Sequence, residues 1–383
     1  MVPYWRLSAY YFFYFAFIGA FSPYFTLYLQ SLRFSAWDIG VLMSLMQVMR
    51  LLAPNLWGWL ADRIGAKTPI VRGAALMSLL GFSCFFFAEG FAGFFLGMAL
   101  LAFFWSAALP LVEALTFSHL GMQANRYGSI RLWGSLGFIT AVLGLGWLLD
   151  CLPLSATLWV SLGLMGGILA CALALPEKRE AAHEADRQPI GDILRRREVR
   201  ALFAACFFMA AAHGALYVFY SIYLVGRGYG TTLVGFLWTL GVVAEIAVFL
   251  AMPRLFGAFS LRAILLFSFA CAIARFLAIG WGVESLALIL AAQLLHAATF
   301  GAYHAASVAA VNRWFAGRHQ ARGQALYGSL SFGAGGMLGG LVSGWSWDAL
   351  GAEITYTLSA GFALLGLVVL WRGWRPSAEA AHS

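Results

Sequence analysis

Long apolar runs separated by short polar segments make up almost the whole of this chain. A helix needs roughly 20 apolar residues to cross the hydrocarbon core of a bilayer, because each residue adds only about 1.5 Å. Runs of that length predict twelve membrane-spanning helices. By residue number they are 8–32, 39–61, 69–88, 92–118, 129–149, 154–175, 200–225, 232–256, 261–282, 285–312, 324–345 and 354–373.

One extended polar segment interrupts this pattern near the middle of the chain. It begins at Pro176 and ends at Val199, with six predicted helices on each side. The sequence therefore predicts three parts. They are an N-terminal six-helix bundle over 1–175, a cytoplasmic central loop over 176–199 and a C-terminal six-helix bundle over 200–383.

Composition agrees with a membrane location. The 383 residues are 62% hydrophobic and only 10% charged, with a mean hydropathy of +0.83. Lipid permits apolar side chains on the outside of a protein as well as in its core. The five cysteines include no CxxC pair and lie within or beside apolar runs, so we interpret them as apolar fillers. We therefore expect no metal ion and no other cofactor.

The distribution of charge predicts the topology. Lysine and arginine are concentrated in the loops on one side of the predicted membrane, and the opposite side holds only Arg33 and Arg227. Because cytoplasmic loops carry the excess of basic residues, we expect a multi-pass protein of a bacterial-type inner membrane with both termini in the cytoplasm. The net charge of +8 is thereby explained without a nucleic-acid partner.

The two halves of the chain repeat each other. FFYFAFIGAFSPYFTLYL from Phe12 aligns with FFMAAAHGALYVFYSIYL from Phe207, and the same offset of 195 pairs Gly40 with Gly235. WGSLGF from Trp133 recurs as YGSLSF at an offset of 194. Tandem similarity of two six-helix halves is typical of transporters built as two bundles around a central site.

Several motifs resemble those of a known superfamily. GWLADRIGAK, from Gly58 to Lys67, resembles the loop motif G-x-L-x-D-R-x-G-R-K of the major facilitator superfamily, with alanine at one basic position. YGSIRLWGSLGF at Tyr127, LWTLGVVAEI at Leu237 and QLLHAATFGAYHAAS at Gln293 are similar to the 3-phenylpropionate transporter family. That family is close to the oligosaccharide and nucleoside proton symporters. The resemblance covers essentially the whole chain. It implies an all-α membrane protein whose twelve transmembrane helices form two pseudo-symmetric six-helix bundles.

Charged residues deep in the predicted helices are candidate functional residues, because a charge at the bilayer centre costs from about 2.5 to above 10 kcal/mol. The repeat offset of 195 maps Arg50 onto Glu245, at the same depth of the second and eighth helices. In the superfamily fold both helices line the central cavity. We expect Arg50 and Gln47 to bind substrate, and Glu245 to take up a proton. The alternative is a permanent salt bridge between the bundles.

The tenth predicted helix has one polar face. Its members Gln293, His296, Phe300, His304 and Ser307 recur at steps of three or four residues. We predict substrate binding by the first three, and proton coupling by both histidines. Hydrogen bonding between helices is the alternative. A metal site is disfavoured because no carboxylate lies between the histidines.

Aromatic residues predict a place for a ring. His213, Tyr217 and Tyr220 share a face of the seventh helix, and Trp238 shares a face of the eighth helix with Glu245. Such side chains can stack on an aromatic ligand and hydrogen-bond to it. Ordinary aromatic packing is the alternative.

Two groups of charged residues near the cytoplasmic face are predicted to act in gating. Glu113 lies near the cytoplasmic third of the fourth span, and Arg131 opens the fifth span across a short loop. Asp62 and Arg63 belong to the loop motif. By the resemblance, the aspartate of that motif helps to lock the cytoplasmic side against a neighbouring helix. Such contacts must break in each transport cycle, so they affect rate without touching substrate.

These patterns predict a secondary active transporter and not an enzyme, since the chain has no Walker A, HExxH or GxSxG motif. We expect proton-coupled uptake of a small organic anion, such as an aromatic carboxylate similar to 3-phenylpropionate. The proton gradient supplies the energy. The partners are substrate, protons and lipid, and the protein is expected to be a monomer.

One alternative is proton symport of a neutral nucleoside or sugar. Another is a non-transporting membrane sensor or lipid-handling protein.

Overall fold

Twelve long apolar helices make up the computed structural model, which describes residues 2–178 and 190–375. Each helix is long and apolar enough to cross a membrane, and the described residues form no strand. The predicted all-α fold with twelve transmembrane helices is confirmed. In chain order the helices are α1 Tyr4–Ser31, α2 Ala36–Ile64, α3 Thr68–Ser83, α4 Gly90–Leu120, α5 Tyr127–Leu149, α6 Ala156–Ala174, α7 Arg197–Gly226, α8 Thr231–Ala258, α9 Leu261–Gly282, α10 Leu286–Trp314, α11 Arg322–Leu350 and α12 Ala352–Gly373.

Three of the helices in the C-terminal half depart from regular α geometry. α7 is interrupted at His213, where one α-helical segment ends and the next begins. α10 contains the π-helical turn Ala297–Ala302, and α11 contains the π-helical turn Ser329–Gly335. Because π turns within helices occur frequently at functional sites, they draw attention to the middle of α10 and α11.

The starts of α2 and α8, which the repeat makes equivalent, are capped differently. At α2, Ser35 Oγ accepts the N–H of Asp38 at 3.1 Å, and the Asp38 carboxylate accepts the N–H of Ser35 at 3.2 Å. This is a capping box, which satisfies two N–H groups within one helix. At the offset of 195, α8 has Gly230 and Leu233 instead, and neither side chain can act as a cap.

Contacts divide the described chain into two units. The first unit contains 2–178 and Tyr217–Thr239, and the second contains 190–216 and Leu240–375. α7 and α8 therefore contribute to both units. The predicted division into two six-helix halves and a central loop stays a prediction, and most of that loop lies outside the described residues.

Close helix crossings repeat in the two units. In the first unit, a Cβ added to Gly19 of α1 would lie 2.6 Å from the carbonyl oxygen of Phe138 in α5. In the second unit, Gly214 of α7 lies against the backbone of Gly339 in α11. Small residues allow such backbone approach between membrane helices. Gly19 and Gly214 are related by the offset of 195, so the sequence repeat is also a repeat of helix packing.

Candidate functional site

A fully buried arginine organises a polar cluster in the second unit. Arg275 of α9 is only 1% exposed. Its Nη1 donates to Thr299 Oγ1 at 2.9 Å and to His296 Nδ1 at 3.1 Å, and its Nη2 donates to Gln293 Oε1 at 2.9 Å. All three acceptors are side chains of α10. One guanidinium thus joins α9 to α10 through charge-assisted hydrogen bonds, which stabilise a cation at this depth.

The contact with Arg275 determines the state of the His296 ring. A guanidinium can only donate, so Nδ1 of His296 is the acceptor, and in the neutral ring the hydrogen is on Nε2. That Nε2 lies 3.5 Å from Oε2 of Glu245 on α8. Gly241, one turn before Glu245, faces the same ring and leaves space for it. Arg275, His296 and Glu245 therefore form a chain across three helices, and together with Gln293 and Thr299 we call it the arginine cluster.

Glu245 is the most accessible member of that chain. Its side chain is 19% exposed, against 9% for His296. When ionised, the carboxylate faces an N–H that Arg275 orients. When protonated, it carries no charge. The arrangement can therefore hold a proton at Glu245 while the other two members keep their hydrogen bonds to each other.

The polar face predicted for α10 forms a ladder of rings. The rings of His296 and Phe300 are nearly parallel at 5.3 Å, and those of Phe300 and His304 are nearly parallel at 5.9 Å. Nδ1 of His304 lies 2.9 Å from Oη of Tyr327 on α11. The structure thus brings these three residues together on one face. Their roles in binding and coupling stay predictions.

His213 packs against residues of the second unit. Its Nδ1 donates to the carbonyl oxygen of Met209 at 2.8 Å, and its ring meets the face of Phe276 edge-on at 5.1 Å. All three belong to the second unit, whereas Tyr217 and Tyr220 belong to the first. The face that these residues are predicted to share on α7 stays a prediction.

Tyr217, Tyr220 and Trp238 do lie together, in the first unit. The rings of Tyr217 and Trp238 are nearly parallel at 6.3 Å, and Tyr220 meets Trp238 edge-on at 5.8 Å. The indole N–H of Trp238 donates to Ser221 Oγ at 3.4 Å. These rings form a small aromatic cluster that joins α7 to α8.

Arg50 and Gln47 belong to the first unit, on α2. Arg50 is exposed and Gln47 is half-buried. The predicted pairing of Arg50 with Glu245 joins residues of different units, and it stays a prediction. Within its own unit, Glu245 faces His296.

Glu113 and Arg131 do not form a direct ion pair among the described residues. Glu113 accepts a hydrogen bond from Tyr127 at 3.2 Å, and the Arg131 guanidinium lies over the ring of Phe15 at 3.8 Å. Tyr127 is at the first turn of α5, so it reaches the carboxylate before Arg131, one turn further on, can do so. The role of Glu113 and Arg131 as a gating pair stays a prediction.

The structure describes part of the loop motif between Gly58 and Lys67. The side chain of Asp62 lies outside the description, and Arg63 is exposed and lies over the ring of Trp59 at 5.4 Å. Nearby, the carboxylate of Glu177 accepts the N–H of Thr68 at 2.7 Å and so caps α3. Burial acts against ionisation, yet these hydrogen bonds hold the pKa of the Glu177 carboxyl below its usual value.

The sequence analysis gives no role to Arg275, although the sequence of α10 contains a pattern that indicates its partners. Gln293, His296 and Thr299 recur every three residues, which places three hydrogen-bonding side chains along one edge of α10. A buried arginine requires several acceptors at once. Three hydrogen-bonding side chains spaced in this way on α10 can therefore accept hydrogen bonds from an arginine buried on α9.

Comparisons with known proteins find a family of transporters and individual transporters that are similar over most of the chain. A model of the MFS_1 like family matches residues 4–358. The chain is 29% identical over 364 residues to a probable 3-phenylpropionic acid transporter of Escherichia coli (strain K12), covering 91% of this chain and 92% of the relative. It is also 29% identical over 364 residues to maltose permease of Geobacillus stearothermophilus, covering 94% and 92%.

A solved structure of the nucleoside transporter NupG has a similar fold. Its TM-score is 0.83 at 16% sequence identity, and the match covers 98% of this chain and 100% of that chain. At this identity the likeness concerns the fold alone.

Proposed function

Because the chain belongs to the MFS_1 like family and is a secondary transporter of the major facilitator superfamily, we propose that it takes up a small organic anion together with a proton. The family and these relatives are transporters, so the predictions of the superfamily and of a protein that is not an enzyme are confirmed. The twelve apolar helices make it a multi-pass membrane protein. We further propose an inner-membrane location with both termini in the cytoplasm.

The observation that carries this proposal is the chain from Arg275 through His296 to Glu245. A carboxyl within a membrane helix is costly when charged, so it is kept where it binds ions or protons. Here the carboxyl of Glu245 faces a histidine N–H within 3.5 Å, and it is partly exposed. Glu245 is therefore the proposed proton carrier.

Charge balance links the proton to an anion. With Glu245 ionised, its charge cancels that of Arg275. With Glu245 protonated, the arginine cluster carries one net positive charge, which attracts an anion. A proton on Glu245 and a carboxylate on Arg50 carry opposite charges, so together they add no net charge to the membrane interior. Proton uptake and anion binding then favour each other.

We propose that the substrate's carboxylate binds Arg50, which is the exposed cation near the middle of α2. Gln47, one turn earlier, would donate a further hydrogen bond. The aromatic cluster of Tyr217, Tyr220 and Trp238 suits an aromatic ring. The name of the Escherichia coli relative, a probable 3-phenylpropionic acid transporter, supports this substrate class.

Uptake by purified protein in proteoliposomes tests the proposal. With an alkaline interior, we expect accumulation of 3-phenylpropionate by the wild type and no accumulation by Arg50→Ala. Glu245→Gln should still exchange substrate across the membrane but lose accumulation driven by the pH gradient, because an amide cannot release a proton. The exposed residues Arg254 and Glu89 provide the matched controls Arg254→Ala and Glu89→Gln. Normal uptake by Arg50→Ala would refute the anion-binding role.

A neutral substrate is the second candidate, and the relatives provide the reason. One relative is a maltose permease, and a nucleoside transporter shares the fold. In that case Gln293 and His296 would bind hydroxyl groups. The same vesicles should be tested with maltose and uridine, and accumulation of either in preference to the aromatic acid would favour this candidate. A non-transporting sensor or lipid-handling role is not retained, because the family consists of transporters.

A further inference from the structure

The first turn of α8 takes its cap from another helix. Asp150 directly follows α5, and its Oδ1 accepts the N–H of Thr231 at 2.9 Å and lies 2.6 Å from Thr231 Oγ1. Its Oδ2 accepts a hydrogen bond from the hydroxyl of Thr232. A carboxylate at a helix N-terminus satisfies N–H groups that have no partner within the helix and complements the helix dipole. The capping side chain that Gly230 and Leu233 do not provide therefore comes from Asp150.

The same helices make close backbone contact beside this cap. Thr231 Oγ1 lies 2.8 Å from the carbonyl oxygen of Gly146 on α5. A Cβ added to Gly235 of α8 would lie 2.6 Å from the carbonyl oxygen of Val142. The hydroxyl of Tyr24 on α1 donates to that same carbonyl oxygen at 2.7 Å. The C-terminal end of α5 and the N-terminal end of α8 are therefore closed against each other, without room for a side chain at Gly235.

We propose that Asp150 is the latch that holds this end of the transporter closed. The contact lies on the side opposite the basic loops, which is the predicted outer side. When α5 and α8 separate there, α8 loses the cap of its first turn, and neither Gly230 nor Leu233 can replace it. Asp150 thus sets the fraction of time for which this end is open.

The equivalent helix of the other half shows why this arrangement acts as a latch. α2 carries its own cap, made by Ser35 and Asp38, which persists whatever its neighbours do. The cap of α8 exists only while α5 is in place. Opening at the α5–α8 contact is therefore coupled to loss of a helix cap, whereas movement of the start of α2 is not.

Labelling of a single cysteine measures the latch directly. Val142 is fully buried, and its carbonyl oxygen lies at the contact. The variant Val142→Cys, in a chain whose five native cysteines are replaced by alanine, becomes accessible only when α5 and α8 separate. A membrane-impermeant maleimide is added to proteoliposomes without substrate or gradient. Asp150→Asn keeps one acceptor oxygen but removes the charge and the second acceptor, and it should accelerate labelling roughly two- to twelvefold, which is the range expected from loss of one hydrogen bond.

Two controls remove a carboxylate on the same predicted side without touching the contact. Glu89 precedes α4 and makes no capping hydrogen bond from its side chain, and Asp38 caps its own helix. Glu89→Gln and Asp38→Asn should label at the unmodified rate. Equal rates for Asp150→Asn and Glu89→Gln would overturn the proposal.

A second variant leaves Asp150 in place and tests the same contact. Combining Thr231→Val with Thr232→Val removes both hydroxyl donors and keeps both N–H groups, so labelling should accelerate here as well. If Asp150→Asn fails to fold, this variant decides the matter, and an unchanged rate would overturn the latch. Because labelling needs neither substrate nor proton gradient, its outcome is independent of the substrate proposal.

Discussion

Nη1 of Arg275 lies 3.1 Å from Nδ1 of His296, and this contact leaves only Nε2 of the histidine to face Glu245. A proton added to Nδ1 would place two N–H groups against each other, one from each residue. His296 is therefore suited to orient Glu245 and poorly suited to carry a proton itself in this conformation. This changes the interpretation of His296 as a coupling residue.

The tautomers of two histidines can be measured. In protein labelled with ¹⁵N only at histidine, we expect His296 as the Nε2–H tautomer, because Arg275 occupies Nδ1. His213 should be the opposite tautomer, because its Nδ1 donates to the carbonyl oxygen of Met209. The spectra of His296→Gln and His213→Gln assign the signals. A doubly protonated ring for His296 between about pH 5.5 and pH 8 would contradict the proposed arrangement.

Replacement of Arg275 by lysine separates charge from geometry. Lysine keeps the cation but cannot present a planar fork to Gln293, His296 and Thr299. We expect the free energy of unfolding to fall by about 1–3 kcal/mol, since at least one buried acceptor loses its donor. Accumulation driven by the pH gradient should be lost while substrate exchange persists. Thermal unfolding and vesicle uptake measure the two effects.

The control for that prediction is Arg254→Lys, at an exposed arginine of α8. It should change neither the unfolding midpoint nor accumulation. If Arg275→Lys behaved like this control, the orientation of the His296 ring would not matter for coupling.

His304 can be assigned to one of its two candidate roles. Tyr327→Phe removes only the hydroxyl that lies 2.9 Å from Nδ1 of His304. If the contact only joins α10 to α11, we expect a loss of about 0.5–1.5 kcal/mol in stability and unchanged proton coupling. If His304 relays protons, the pH dependence of uptake should shift in Tyr327→Phe and be abolished in His304→Gln. Uptake measured across a pH series distinguishes the two outcomes.

The latch should not respond to physiological changes in pH. Hydrogen bonds from Thr231 and then from Thr232 hold the pKa of the Asp150 carboxyl below its usual value. A lowered carboxyl pKa gives stabilisation that is present above the ordinary value of about 3.9 and is lost only as pH falls through the lower, folded-state value. Tyr24, the other titratable side chain at the contact, ordinarily ionises near pH 10.

Labelling of Val142→Cys should therefore proceed at one rate between about pH 5.5 and pH 8, while substrate accumulation changes with pH. A labelling rate that rises as pH falls within this range would mean that the latch itself senses protons.

The helices were predictable because lipid imposes a length and an apolar composition on every span. The ends of the helices were less predictable, because local capping determines where a helix ends and hydropathy does not. α2 was predicted over 39–61, yet it begins after Ser35 and ends before Gly65, which has a φ of 67°. A side-chain cap and a left-handed glycine extend this helix beyond its apolar run at both ends.

The contacts within the arginine cluster could not be predicted from the sequence, for a different reason. Arg275 and Glu245 could be recognised as charges at depth, but the histidine that lies between them is on a third helix, and only tertiary packing brings the three together. Asp150 gave no signal at all, because an aspartate after a helix is ordinary in a loop. The repeat pointed towards Arg50 for Glu245, and a repeat cannot reveal contacts that only one half contains.

The borrowed cap of α8 has a consequence for synthesis of the protein. α5 is translated before α8, so the carboxylate of Asp150 is made before Thr231, which it caps. In a chain rearranged so that α8 is inserted first, that helix start would be made before its acceptor. In the order that this chain has, the carboxylate that caps α8 is made before the helix that needs it.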